Sequence, residues 1–212
     1  MDARFTLPSV SRRPPKSRRF DVHGLKVGRG LTLFNKAPVH AWLDLERTPS
    51  VTWYCERPLV IEEAGNSRVV DFYVIRGDSE EMLFCPTKAE LENEQPFRER
   101  WPGFTRWCDL NHINVEVRVP ASDPDGEVTL TNWGQILRDL SAFRRYVSAE
   151  LVGAVGSELS EPKSLRDLQT LFRGTDPILV KVALFQLLHQ GTAVGEQLDA
   201  KPISAEMLFA AS

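Results

Sequence analysis

Residues 49–88 read PSVTWYCERPLVIEEAGNSRVVDFYVIRGDSEEMLFCPTK, and this stretch decides the fold. Short runs of β-branched and aromatic residues predict strands over Val51–Tyr54, Leu59–Glu62, Arg68–Ile75 and Glu81–Phe84, the last ending just before Lys88. The clusters Ala64-Gly65-Asn66-Ser67 and Arg76-Gly77-Asp78-Ser79 supply the reversals between them. Asp71 is the exception within Val69-Val70-Asp71-Phe72-Tyr73-Val74. A carboxylate buried in an apolar strand needs an ion pair, hydrogen bonds or a metal.

Working outward, the segment AELENEQPFRERW after Lys88 mixes Glu90, Glu92, Glu94 and Glu99 with Arg98 and Arg100, the composition of a solvated helix or loop. Beyond Phe104–Cys108, the alternation in Asn114–Val119 (NVEVRV) predicts a half-buried strand, and Ser122-Asp123-Pro124-Asp125-Gly126 a turn. Upstream, Val39, Trp42, Leu43 and Leu45 fall on one face of a short helix with Pro38 in its first turn. His40 and Asp44 stand one turn apart on it and read as a solvated pair rather than a metal site. This order of elements fits an α/β fold, a mixed sheet with flanking helices.

The composition, 42% hydrophobic, 26% charged and 9% aromatic, is that of a globular protein with one good core and a small accessory domain. No apolar run approaches the roughly 20 residues that span a bilayer, and the N-terminus lacks the apolar core of a secretory signal. Cys55, Cys85 and Cys108 are odd in number and lack metal-ligand spacing, which points to a reduced, cytoplasmic chain. The net charge of −3 gives no overall attraction to nucleic acid, so such binding needs a local patch. Ser11–Arg19 supplies one: Arg12, Arg13, Lys16, Arg18 and Arg19 occur there without an acid, and two prolines disfavour a helix. The segment reads as an extended arm that contacts DNA phosphates, or as a solubilising tail.

From Thr131 the pattern becomes helical. Asn132 suits a cap for a helix from Trp133 to about Val152, with Gly153, Gly156 and Ser157–Pro162 as its end and a linker. Ser164 and Asp167 have capping-box spacing. Thr175 or Asp176 caps a further helix with Pro177 in its first turn, and Gly191 ends it. The strand-like Thr192–Val194 and a hairpin-like Gly195–Ile203 complete a small winged helix. Its second helix, PILVKVALFQLLHQ, has only Lys181 and, near its end, His189 as basic residues, so it suits contact with protein better than reading of DNA.

An Asp on one strand and a Lys at the end of the next are the two ends of a PD-(D/E)xK nuclease motif, whose carboxylates hold magnesium and whose Lys stabilises charge at the scissile phosphate. The order of elements resembles the TnsA-type endonuclease subunit of heteromeric transposases. That family shows an opening YES-x-x-E motif, a fDP-x-V-x-x-(Y/F)-x-x-QP stretch, a PDF strand and an E-x-K strand. Thr48–Pro58 resembles the second, Val70-Asp71-Phe72 the third, and Pro86-Thr87-Lys88 stands at the fourth. Counting back from Pro58, the opening glutamates fall on Phe34 and Pro38, and the glutamate of E-x-K falls on Pro86.

The resemblance implies a restriction-endonuclease-like core over 29–130, behind a basic extended arm over 1–28. A connecting helix and linker follow over 131–160, then a winged-helix domain over 161–212. It implies Asp71 and Lys88 as the remnant catalytic pair, with Asp71 the one magnesium ligand if the site is active. The implied partners are transposon-end DNA, a DDE transposase and an AAA+ ATPase regulator met through the C-terminal region, with the assembly on the bacterial nucleoid. Three functions follow: an assembly and DNA-positioning factor with a degenerate site, an active nuclease using a migrated acid (Glu62, Glu63, Glu81 or Glu90), and a winged-helix DNA-binding regulator. In the degenerate case Arg68 or Lys88 satisfies Asp71 in a buried pair.

Overall fold

A computed structural model describes residues 3–92, 95–119 and 124–212. The chain divides into two compact units, Met1–Glu46 with Ser50–Pro120, and Arg47–Pro49 with Ala121–Ser212. Both contain helices and sheet, giving a mixed α/β protein. Among the described residues no helix is long and apolar enough to cross a membrane.

In the first unit, β1 (Arg19–Gly24) and β2 (Arg29–Phe34) form an antiparallel hairpin, and α1 (Lys36–Arg47) follows. Next come β3 (Val51–Glu56), β4 (Val60–Glu63), β5 (Asn66–Val69), β6 (Phe72–Arg76) and β7 (Ser79–Phe84). Three helices, α2 (Lys88–Leu91), α3 (Phe97–Arg100) and α4 (Pro102–Leu110), lead to β8 (Ile113–Val117). The main sheet runs β3-β6-β7-β8, with the first three strands antiparallel and β8 parallel to β7. A parallel return requires a crossover, which the segment carrying α2 to α4 provides.

Both faces of this sheet are covered. Tyr73, Ile75, Met82 and Phe84 share a cluster with Phe104 and Cys108 of α4. On the other side Tyr54 packs edge-on against Phe72, and its hydroxyl accepts the indole N–H of Trp42 of α1 at 2.9 Å. Burial on both sides explains why Phe72–Ile75 is apolar without alternation.

The expected strand Arg68–Ile75 is two strands, β5 and β6. β4 and β5 make their own ladder, Val60↔Val69 to Glu63↔Asn66, around Ala64 and Gly65. Both turn residues have positive φ, 50° and 78°, as a type I′ hairpin turn requires. Asp71 therefore lies at the break before β6. The segment expected as an arm also differs: Arg19 already opens β1, and the residues before it pack on the unit. Phe5 meets Tyr73 edge-on, Trp53 Nε1 donates to the Phe5 carbonyl at 3.2 Å, and Arg4 pairs with Glu80 at 2.9 Å.

The second unit contains α5 (Pro124–Phe143), a 3₁₀ turn (Arg144–Tyr146), α6 (Ala149–Glu158), β9 (Lys163–Ser164), α7 (Leu165–Leu171), α8 (Pro177–Gln190), β10 (Ala193–Gly195) and β11 (Leu208–Ala211). The strands form an antiparallel sheet in the order β10-β11-β9. Ser164 and Asp167 form the expected capping box, and Asp176 caps α8 with Pro177 behind it. Gly191 ends α8 at φ 74°, where a Cβ would also run into the Pro49 ring.

Three expectations change here. Of the turn expected over Ser122–Gly126, Ser122 and Asp123 lie outside the described residues, as does Glu94, and Pro124 already opens α5. Asn132 is no cap: it lies inside α5, 1% exposed, with its amide holding the backbone of Leu198, Lys201 and Ile203. The helix expected from Trp133 to Val152 is interrupted at Arg144–Tyr146, because Ser148 caps a new helix, α6, that contains Gly153 and Gly156. The segment 131–160, expected to connect two domains, thus lies within the second unit.

Candidate functional site

Asp71 precedes β6, and Cys85 follows β7 on the neighbouring strand. Strand pairing brings them together, and Asp71 Oδ2 accepts the Cys85 backbone N–H at 2.8 Å. The same oxygen accepts from Arg68 Nη2 at 2.9 Å. Arg68 also donates through Nε to Glu90 Oε1 at 2.9 Å, through Nη2 to the Cys85 carbonyl at 3.0 Å, and through Nη1 to the Val69 carbonyl at 2.6 Å. Glu90 is held in turn by the capping box of α2, where Thr87 N–H donates to Oε2 at 2.8 Å. One guanidinium is thus surrounded by two carboxylates and two carbonyls.

The electrostatics follow from that count. Burial works against the Arg68 charge, but Asp71 and Glu90 outweigh it and its pKa rises. Burial also opposes ionisation of Glu90, yet the Thr87 amide and Arg68 hold its carboxyl below the ordinary value. Asp71 lies deeper, and its pKa is raised by burial despite Arg68 and the Cys85 amide, with Glu90 adding repulsion. One positive charge does not neutralise two carboxylates, and the deeper acid carries the imbalance.

A cavity of about 550 Å³ opens beside this cluster, lined among others by Phe34, Pro38, Arg57, Arg68, Asp71, Pro86 and Lys88. Of the expected pair, Asp71 is committed to Arg68 and Cys85. Lys88 does not end a strand: it is the first residue of α2, its side chain is 91% exposed, and it stands 3.7 Å from Glu92. The cavity borders both residues, but Arg68, not Lys88, satisfies Asp71. Among the other acids considered, Glu63 caps α4 through Gly103 N–H at 2.8 Å, Glu81 pairs with Arg76 at 3.1 Å, and Glu62 is exposed. Only Glu90 reaches the cluster, through Arg68.

These residues do not fit a magnesium ion. Asp71 Oδ2 and both oxygens of Glu90 already accept from Arg68, Cys85 N–H and Thr87 N–H. Among the described residues no group of three His, Cys, Asp or Glu side chains could hold a metal.

Arg12, Arg13, Lys16, Arg18 and Arg19 are all exposed. They are not a free arm: the Arg12 carbonyl accepts from Arg57 Nη2 at 2.9 Å, Arg13 Nε donates to the Ser17 carbonyl at 3.1 Å, and Arg19 pairs with Asp21 at 3.0 Å. In the second unit, Lys181 of α8 pairs with Asp139 of α5 at 2.9 Å.

Arg57 was not singled out from the sequence, and Arg68 was named there only as a possible partner for Asp71, although both stand in the decisive stretch. The available signal was charge beside apolar strand residues, since Arg57 follows β3 and Arg68 precedes Val69-Val70. Comparison of the chain with known protein families and with curated proteins finds no match.

Proposed function

We propose that the chain is a TnsA-like subunit of a DNA transposition machinery, acting with a DDE transposase and an AAA+ regulator as an assembly and DNA-positioning factor. One observation carries this reading. The positions on which the resemblance places the family's acids and lysine, Phe34, Pro38, Asp71, Pro86 and Lys88, come from three separate stretches of sequence, yet all line one cavity. Motifs matched by chance have no reason to converge. Three of those positions now carry apolar side chains, and the one acid among them, Asp71, is paired with Arg68. The cavity therefore reads as a nuclease site that has lost its metal ligands and put a guanidinium among the remaining ones.

The element orders support the same reading. A helix, three antiparallel strands, a helical crossover and a parallel fourth strand suit a restriction-endonuclease-like core. In the second unit α6, β9, α7, α8, β10 and β11 follow in the order of a winged helix. The pairing of Lys181 with Asp139 removes the one cation in the body of α8 from any base contact, which favours a protein partner over a DNA-reading regulator.

The test is a cleavage assay on transposon-end DNA with the transposase partner and magnesium or manganese, using the wild type and Asp71→Ala. The expected result is complex assembly without a nick from this subunit in either protein. Products of transposition should then be cointegrates. A wild-type nick that disappears in Asp71→Ala overturns the reading in favour of an active nuclease.

A further inference from the structure

A second cavity, of about 570 Å³, is lined by Arg13, Arg19, Arg29, Glu56, Arg57 and the N-terminal residues Leu7, Pro8, Val10 and Ser11, among others. Four guanidinium groups surround it. Arg29 takes both oxygens of Glu56, at 2.8 and 2.5 Å, and Arg19 pairs with Asp21. Arg13 and Arg57 have no carboxylate at ion-pair distance among the described residues, and each donates only to a backbone carbonyl, of Ser17 and Arg12 respectively. The wall thus carries more positive charge than its own acids neutralise.

Arg57 is the unusual member. It is 8% exposed, and burial pushes its pKa down, with Asp71 and Glu56 opposing. Those two acids are already bound to Arg68 and Arg29. Arg57 Nη1 is buried without a hydrogen-bond partner, and so is Arg29 Nε on the same cavity wall. Two buried guanidinium N–H groups without acceptors, on residues that line one cavity, are costly. The backbone is arranged to hold Arg57 there. Its φ is 48°, a left-handed value that an arginine seldom adopts, and it is fixed by Arg57 N–H donating to the Asp71 carbonyl at 2.9 Å and by Ser9 N–H donating to the Arg57 carbonyl at 3.0 Å. On one side the guanidinium lies over the Phe34 ring, 4.7 Å from its centroid, which keeps it from swinging away.

We propose that Arg57, Arg29 and Arg13 form a binding site for a phosphoryl group. A tetrahedral oxyanion has enough acceptor oxygens for the free N–H groups of several guanidinium groups at once, and its charge balances the two arginines that lack an acid. Arg57 and Arg29 form the floor and exposed Arg13 the rim. The site goes beyond the transposition reading and does not require it, because the same chemistry accepts a phosphodiester of a nucleic-acid backbone or free phosphate.

The experiment uses the full chain in two arms. In the first, thermal unfolding is followed with inorganic phosphate against chloride at equal ionic strength. In the second, affinity for a duplex of arbitrary sequence is measured against salt. Arg57→Met is compared with the wild type throughout. A phosphate-induced rise in melting temperature that Arg57→Met removes identifies a free-phosphate site. No phosphate effect, but duplex affinity reduced about tenfold and a shallower salt slope in Arg57→Met, identifies a backbone phosphodiester. If phosphate does not stabilise the wild type and duplex affinity is the same in both proteins, the proposal is overturned. Should Arg57→Met fail to fold, exposed Arg13→Gln decides on the same two readouts, and responses equal to wild type overturn the proposal. Unchanged duplex binding in Arg57→Met together with no phosphate effect on the wild type would remove this site and leave the DNA-positioning function intact. Phosphate binding without duplex binding would do the reverse.

Discussion

Arg68 Nη2 stands 2.9 Å from Asp71 Oδ2, and the same side chain reaches Glu90 through Nε at 2.9 Å. The pair joins the break between β5 and β6 to the start of α2, so its loss is felt in three elements. Arg68→Ala would leave two carboxylates facing each other with only the amides of Cys85 and Thr87 as donors. Removing one partner of a buried ion pair costs about 3–5 kcal/mol. Asp71→Asn keeps an acceptor for Cys85 N–H and lets Arg68 retain Glu90, for a loss of about 1–2 kcal/mol. Urea unfolding should order the midpoints Arg68→Ala, then Asp71→Asn, then wild type. Equal losses in the two variants would mean that Arg68 does not balance both acids.

Lys26 gives the protein an alkaline stability increment. Its ammonium donates to the Leu45 carbonyl at 2.8 Å, and burial lowers its pKa from the ordinary 10.5 to about 8 although Glu46 opposes the shift. The folded state therefore binds fewer protons than the unfolded chain between about pH 8 and 10.5, and stability rises with pH across that window. Below it the full penalty of burying the ammonium applies. Partial solvent exposure reduces the gain from pH 7.5 to 9.5 to about 1 kcal/mol. Lys26→Met should remove it, so the difference in melting temperature between variant and wild type must shrink as pH rises. A constant difference would show that the lysine titrates normally.

The three thiols should be inert in the folded protein. Cys55, Cys85 and Cys108 are free and buried. Burial pushes Cys55 to about 12 and Cys108 to about 11, and raises Cys85 further, with Asp71 adding to the effect. A thiol reagent at pH 8 meets almost no thiolate at these sites. Titration with a chromogenic disulfide should find less than one reactive thiol per chain under native conditions and three in denaturant. Fast native reaction of a single cysteine would contradict the packing around it.

Local signals were readable in the sequence and non-local ones were not. Ala64-Gly65 and Gly77 marked two hairpin turns, and Ser164, Asp167, Pro177 and Gly191 marked helix ends, because each acts through its own backbone and near neighbours. The β1-β2 hairpin was hidden by the cations before it: Arg18 and Arg19 read as the end of a charge run, while Phe20, Val22, Leu31 and Leu33 carry the alternation of a strand pair. β11 was missed because it pairs with β10 across the residues from 196 to 207, with no tight turn to announce it. At the site, Asp71 stood out as a carboxylate among apolar residues. Arg68 was legible only as one of two possible partners for Asp71, since it follows an exposed turn and its further contacts, to Cys85 and Glu90, join residues that the sequence leaves far apart.

Asn132 should prove as important to the second unit as a core hydrophobe. It sits on α5 one turn from Thr129, whose hydroxyl donates to the Asp199 carbonyl at 3.2 Å. Its own amide donates to the Leu198 and Lys201 carbonyls, both at 2.7 Å, and its Oδ1 accepts Ile203 N–H at 3.0 Å. Nearly the whole hydrogen-bonding capacity of the side chain goes to the segment between β10 and β11. Asn132→Leu matches the volume but leaves two carbonyls and one N–H without partners, a loss of about 2–4 kcal/mol. Asn132→Asp keeps the acceptor for Ile203 and turns a second oxygen towards the two carbonyls, so it should be worse although smaller in steric change. Urea unfolding measures both losses, and limited proteolysis should show faster cleavage within 196–207 in each variant. If Asn132→Asp matches the wild type in both measurements, the side chain does not hold this segment, and the order of β11 must come from Phe209 and Met207 packing alone.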